Sequence, residues 1–343
     1  VARRGARHHA QLSSRARAQH LLDESQHTAA RHEALAHAAH GRLGCLGQHP
    51  SVLGERLARL LSRSRYRDLN QLALLLGAQS NSDSLRGARG VAYDAARQLA
   101  LVASASANSL AVVSLADPTG PQVVGVLVNG TALRGARGVA YDAASGLAFV
   151  SAAEGGALSV VSVSDPTRPT LVGALVDAER LRGASAVAFD ASTGRAYVAC
   201  SGASSIAVVD VSTPEAPELV GELAGVASVG GAVGVALVAA VQRVVVACGR
   251  AGGVAVVDVR AARSPRLLGN VSGAAALGGA SAVALGASSA SSQLAYVLGA
   301  TAGSLVVLDV SDASLPSVVG TLISSSLAGA SSAAYDPLTQ RVF

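Results

Sequence analysis

From residue 85 to residue 327 the chain alternates short apolar runs with short polar breaks, and the alternation repeats every 48 residues. Gly87, Gly135, Gly183, Gly231 and Gly279 mark the step. A fixed period of that length means copies of one supersecondary unit stacked side by side. Each unit holds four apolar runs, which in the first copy are Gly90–Tyr93, Leu99–Ala103, Leu110–Ser114 and Gln122–Val128. They are short and rich in Val and Leu, which predicts strands, since a useful helix needs about 10–12 residues.

The breaks carry turn chemistry. Asp94, Asp142 and Asp190 follow the first run in successive copies, where a carboxylate can accept from the backbone two residues on. Asp117-Pro118, Asp165-Pro166 and Thr213-Pro214 separate the third run from the fourth, each with a second proline three residues later. Proline has no ladder N–H, so these segments connect strands and are not central strands. Short links require antiparallel neighbours, because a parallel pair needs a long crossover. Four antiparallel strands per 48 residues make one blade of a β-propeller, and the fold class is all-β. The small residues Gly90, Gly138, Ala186 and Gly234 place the first strand innermost, where chains crowd toward an axis.

Five complete blades end near Leu327, and Ala330–Asp336 opens a sixth that the terminus cuts short. A complete ring would have six or seven blades. Gly77 precedes Gly87 by ten residues, as Gly125 precedes Gly135, so residues 71–79 read as the fourth strand of a preceding blade. That strand and residues 330–343 are expected to share the last blade of a six-bladed ring, which would hide the sheet edges. The domain division is therefore residues 1–67, a non-repeat Arg/His/Ala-rich segment read as poorly ordered or partly helical, and residues 68–343, a truncated propeller.

Leu158-Ser-Val-Val-Ser-Val-Ser-Asp-Pro166, Ile206-Ala-Val-Val-Asp-Val-Ser212 and Leu305-Val-Val-Leu-Asp-Val-Ser-Asp312 resemble the LVIVD-repeat propellers. The pattern of that family runs Leu-Val-Ile-Val-Asp-Val-Ser-Asp-Pro, followed by a Pro and a Gly. The resemblance covers residues 72–343 and departs at Ser114 and Ser162, where the pattern has Asp, and at 261–263, where the Asp-Pro turn is lost. It implies a propeller, often on extracellular or cell-surface proteins, and no defined chemistry.

Composition changes the picture in three ways. The sequence pI of 9.6 suggests a nucleic-acid binder, but the charge is uneven. Residues 1–83 hold 12 Arg against 6 acids, whereas residues 84–343 hold 15 against 16, so the propeller is near neutral and no nucleic-acid partner is expected. All 8 histidines precede residue 50 and lysine is absent. The propeller region therefore offers no Ser-His-Asp or Cys-His nucleophile, no Schiff-base lysine and no His-ligated metal. Leu223–Val241 is free of charge but carries Gly225, Gly230, Gly231 and Gly234, and it reads as two buried strands joined by a loop, not a membrane span.

Smaller signals add little. His32 and His37 resemble a zinc-protease pair with one residue too many, which turns the imidazoles about 140° apart on a helix. No metal and no cofactor is expected. Cys200 and Cys248 sit one period apart and read as small buried hydrophobes. Asn129-Gly-Thr131 and Asn270-Val-Ser272 are glycosylation sequons, which together with the resemblance point to an extracellular or cell-surface location.

One constellation remains. The loops into the first strand carry Arg86 and Arg89, then Arg134 and Arg137, then Arg182. In propellers this connection reaches the mouth of the central channel. The positions matching Arg89 and Arg137 in later copies are Ser185, Val233 and Ser281, so positive charge collects on one side. The leading reading is a non-enzymatic scaffold that presents this loop face to a protein or glycan partner, or to an anionic ligand. The alternative is a propeller hydrolase or lyase acting on carbohydrates or esters, with its catalytic groups in a missing blade.

Overall fold

The computed structural model describes residues 83–117, 119–286 and 293–343. The segment 1–67, the expected strand at 71–79, the His32–His37 pair and Cys45 lie outside the described residues.

The four predicted strands of each repeat form an antiparallel meander. Blade one comprises β1 (Ala88–Asp94), β2 (Leu99–Ser104), β3 (Ser109–Ser114) and β4 (Gln122–Val128). Blade two comprises β5 (Ala136–Asp142), β6 (Leu147–Ala152), β7 (Ala157–Ser162) and β8 (Thr170–Val176). Blade three comprises β9 (Ala184–Asp190), β10 (Arg195–Cys200), β11 (Ser205–Asp210) and β12 (Glu218–Leu223). Blade four comprises β13 (Ala232–Val238), β14 (Arg243–Cys248), β15 (Gly253–Asp258) and β16 (Arg266–Ser272). Blade five comprises β17 (Ala280–Leu285), β18 (Leu294–Gly299), β19 (Ser304–Asp309) and β20 (Ser317–Ile323). A two-stranded sheet, β21 (Tyr335–Asp336) and β22 (Arg341–Val342), follows blade five. No helix among the described residues is long and apolar enough to cross a membrane.

The turns form as the aspartates dictate. Asp94 Oδ1 accepts from the amides of Ala96 and Arg97 at 3.0 and 3.1 Å, and Asp142, Asp190 and Asp336 cap their own turns in the same way. At the proline turn, Asp165 Oδ1 accepts from the amide of Thr167 at 2.9 Å.

Blades pack face to face, so the middle strands are covered on both sides. In β10, Tyr197 and Ala199 join a core with Val244, Val246 and Val257 of blade four. Ala196, Val198 and Cys200 point the other way, into a core with Phe149, Leu158 and Val160 of blade two. Successive side chains on a strand face opposite sides. A strand buried on both faces must then read as an unbroken apolar run, as Ala196–Cys200 does. Equivalent cores join blades one and two, and blades four and five.

The first strands are neighbours at the ring centre, in the order β1, β5, β9, β13, β17. Their small column is required sterically: a Cβ on Gly90 would overlap the carbonyl oxygen of Arg137, and one on Gly138 would press on the backbone of Ala186. At the outer rim, Gly125, Gly173, Gly221 and Gly269 each lie under the link between the third and fourth strands of the next blade, while Gly320 of blade five meets only its own Val307. Val319 and Ile323 on β20 are correspondingly exposed. The stacked rings of Tyr296 and Tyr335, centroids 5.2 Å apart, join β18 to β21.

Candidate functional site

The arrangement at the ring centre starts from a fault in strand pairing. Ala88 pairs with Ser104 and Gly90 with Ala103, so Arg89 is an extra residue with no partner on β2. The same one-residue bulge recurs at Arg137, Ser185, Val233 and Ser281. A bulge redirects the side chain of its extra residue away from the pleat. Here all five bulge residues line one cavity of about 560 Å³ at the centre of the first strands. Ser331, which stands four residues before Tyr335 as Arg89 stands before Tyr93, lines it as well.

The five sequence-predicted arginines divide into two sets. Arg89 and Arg137 line the cavity. Arg86, Arg134 and Arg182 do not. Their guanidiniums fold back within their own blades onto the carbonyls of Ser106, Glu154 and Gly202, at 3.4, 2.6 and 2.7 Å. Each therefore pins the loop entering the first strand to the turn between the second and third. The spacing of 20 residues between donor and acceptor is the same in all three blades.

Arg89 and Arg137 have no acidic partner and no hydrogen bond among the described residues. Partial desolvation of Arg137 by the cavity wall, reinforced by the like charge of Arg89, lowers its pKa from the ordinary arginine value. It remains fully charged, because that value lies far above neutral pH. The lining contains no described carboxylate, thiol or imidazole. The remaining wall is backbone, Val139, Val233, Val235, Val283, alanines and serines. Among the described residues no group of His, Cys, Asp and Glu side chains is placed to hold a metal. The arrangement can bind negative charge, and the two guanidiniums can do so as bidentate forks.

On another face of the blade stack, side chains tie neighbouring blades together. Tyr141 of blade two donates to Asp94 Oδ2 of blade one at 3.0 Å. Arg97 joins Asp94 at 2.7 Å, reaches the Tyr141 hydroxyl and donates to the carbonyl of Val163 at 3.0 Å. The Arg97 hydrogen bond is the main reason that the Asp94 carboxyl sits below its ordinary pKa. Repeat periodicity does not reveal this set, because Arg97 occurs in one copy only. In the first sequon Asn129 Oδ1 accepts from the amides of Thr131 and Ala132, at 3.0 and 2.8 Å.

The structure is similar to several solved proteins. A periplasmic gluconolactonase from Pseudomonas aeruginosa superposes with TM-score 0.57 at 14% identity, over 69% of this chain and 70% of that one. A functionally unknown protein from Desulfotomaculum acetoxidans superposes with TM-score 0.55 at 13% identity, over 75% and 77%. The WD40 repeats of RRP9 give TM-score 0.55 at 11% identity, over 74% and 71%. At these identities the likeness concerns the fold alone. No curated protein matches the sequence. The model of the LVIVD repeat matches residues 146–177, 190–224 and 289–323. The matched stretches fall in blades two, three and five of the meander described above, and the chain is a β-propeller that carries three LVIVD repeats.

Proposed function

We propose that this propeller binds rather than catalyses, and that the face around Arg89 and Arg137 receives an anionic group of a protein or glycan partner. The observation that carries this reading is the pair of guanidiniums, brought to one cavity by equivalent bulges of adjacent blades and left without a counter-charge among the described residues. Two like charges facing one space repel. An incoming carboxylate or sulfate relieves the repulsion and fills the forks. The three other arginines tether their loops and do not line the cavity, which favours Arg89 and Arg137 as the contact.

The test replaces both arginines with serine, the residue that blades three and five carry at the bulge. The R89S/R137S variant should keep the strand circular dichroism and melting temperature of the parent chain. Its binding to an anionic glycan such as heparin should be lost, and parent binding should weaken as salt rises, since exposed charges are screened beyond about 10 Å at 0.1 M. Equal retention by the parent and the variant would remove the site.

A further inference from the structure

We propose that the central cavity is a specific pocket for a small carboxylate on a compact aliphatic body, an inference that rests on the anion-binding reading above. The cavity volume of about 560 Å³ falls in the range of small-molecule sites, about 300–1,000 Å³. The ring of bulge residues is asymmetric. Arg89 and Arg137 come from adjacent blades, while Val233 and Ser281 come from blades further round, and Val139, Val235 and Val283 supply apolar wall both beside Arg137 and further round.

Two of the four lining serines, Ser185 and Ser281, already spend their protons within the protein, and Ser331 and Ser332 line the cavity alongside the guanidiniums as neutral groups. A hydroxyl has one proton to donate. Ser185 directs its hydroxyl to the carbonyl of Gly183 at 2.7 Å, and Ser281 to the carbonyl of Ala330 at 2.7 Å. The charged donors are therefore the two guanidiniums. Two forks supply N–H donors for the lone pairs of one carboxylate; they fit a phosphate as well, but a phosphate has no carbon body to cover the apolar wall, which favours the carboxylate. The carbon body of the acid then lies against Val233, Val235 and Val283, where an uncharged polar body would leave its hydrogen bonds unmade.

The experiment is isothermal titration of the full chain with isovalerate, acetate, isovaleramide and inorganic phosphate, on the parent and on the R89S, R137S and Val233→Ser variants. Isovalerate should bind the parent, and each arginine replacement should weaken it at least about tenfold, as expected for loss of a charge-assisted bidentate contact. Val233→Ser should narrow the preference for isovalerate over acetate. Isovaleramide, which has the same shape without the charge, should not bind. Tighter binding of phosphate than of isovalerate overturns the carboxylate assignment and leaves anion binding in place. Equal binding of isovaleramide and isovalerate overturns both. Failure of isovalerate to bind while salt-sensitive heparin binding persists overturns the pocket alone. Should an arginine variant fail to fold, the comparison of isovalerate with its amide on the parent chain decides.

Discussion

Gln242 of blade four donates through Nε2 to Asp190 of blade three at 2.7 Å, and it does so from a left-handed backbone conformation with φ of 50°. The same turn position is held by Gly146 in blade two and Gly194 in blade three, both with positive φ. Blade four thus accepts a strained glutamine where blades two and three use glycine, as blade one does with Gln98 at φ of 53°, and the Gln242 side chain reaches across the seam. Burial alone would raise the Asp190 pKa, but hydrogen bonds from Ser192, Gln242 and Thr193 outweigh it and hold the carboxyl below its ordinary value.

This arrangement orders two substitutions. Gln242→Gly relieves about 1 kcal/mol of backbone strain but loses a hydrogen bond to a charged group, worth about 1.5–3 kcal/mol. Gln242→Ala loses the bond and keeps the strain. Thermal melts should therefore rank the parent first, the glycine variant next, a few degrees lower, and the alanine variant last. An alanine variant as stable as the parent would show that the Asp190 contact contributes nothing.

The outer glycines give a second comparison. A Cβ on Gly221 would overlap the carbonyl oxygen of Ala262 in the next blade, and the obstacle is backbone that cannot step aside. A Cβ on Gly320 would meet only Val307 side-chain carbons at 3.8 Å, an ordinary contact. Gly221→Ala should destabilise by about 2 kcal/mol or more, within the range for overpacked sites, and Gly320→Ala should be near neutral. Urea midpoints of the two variants test this. Equal effects would mean that the seam between blades three and four is looser than its geometry.

Acid sensitivity should trace in part to Asp258. Hydrogen bonding from Arg260, with further attraction from Arg266, holds this carboxyl down at about 2, although burial opposes it. The folded value is depressed, so its contribution is complete above the unfolded value of about 3.9 and is lost as pH falls through about 2. The contribution is on the order of 1 to 2 kcal/mol, because Arg260 and Arg266 are 65% and 70% exposed and partly screened. Asp258→Asn should flatten the stability profile between about pH 4 and pH 2 relative to the parent. Parallel profiles would exclude Asp258 as the titrating group.

The two repeat cysteines should be inert. Cys200 and Cys248 are free and buried, and burial pushes both thiols up to about 12. The thiolate is the reactive form. A Cys45→Ser variant at pH 8 should take up no iodoacetamide when native and two equivalents when unfolded in urea. Rapid native labelling would mean that the blades open far more often than their packing allows.

The unit and its connections are written locally in the chain. The 48-residue period, the four apolar runs, the aspartates at the turns and the prolines before the fourth strand are local features, and each acts through backbone chemistry that neighbours in sequence decide. Even the innermost strand was legible, because Gly90, Gly138 and Gly234 record the crowding at the axis. Arg86 and Arg89 looked alike, three residues apart on one loop, and only the tertiary structure separated them. Arg86 returns to the carbonyl of Ser106, whereas Arg89 is the residue that β1 has in excess over β2. A bulge is a property of a pair of strands and breaks the two-residue alternation from which a side chain's direction is read. Which blades then stand beside one another at the centre, and so which bulge residues share a cavity, is decided by packing between repeats that no single repeat encodes.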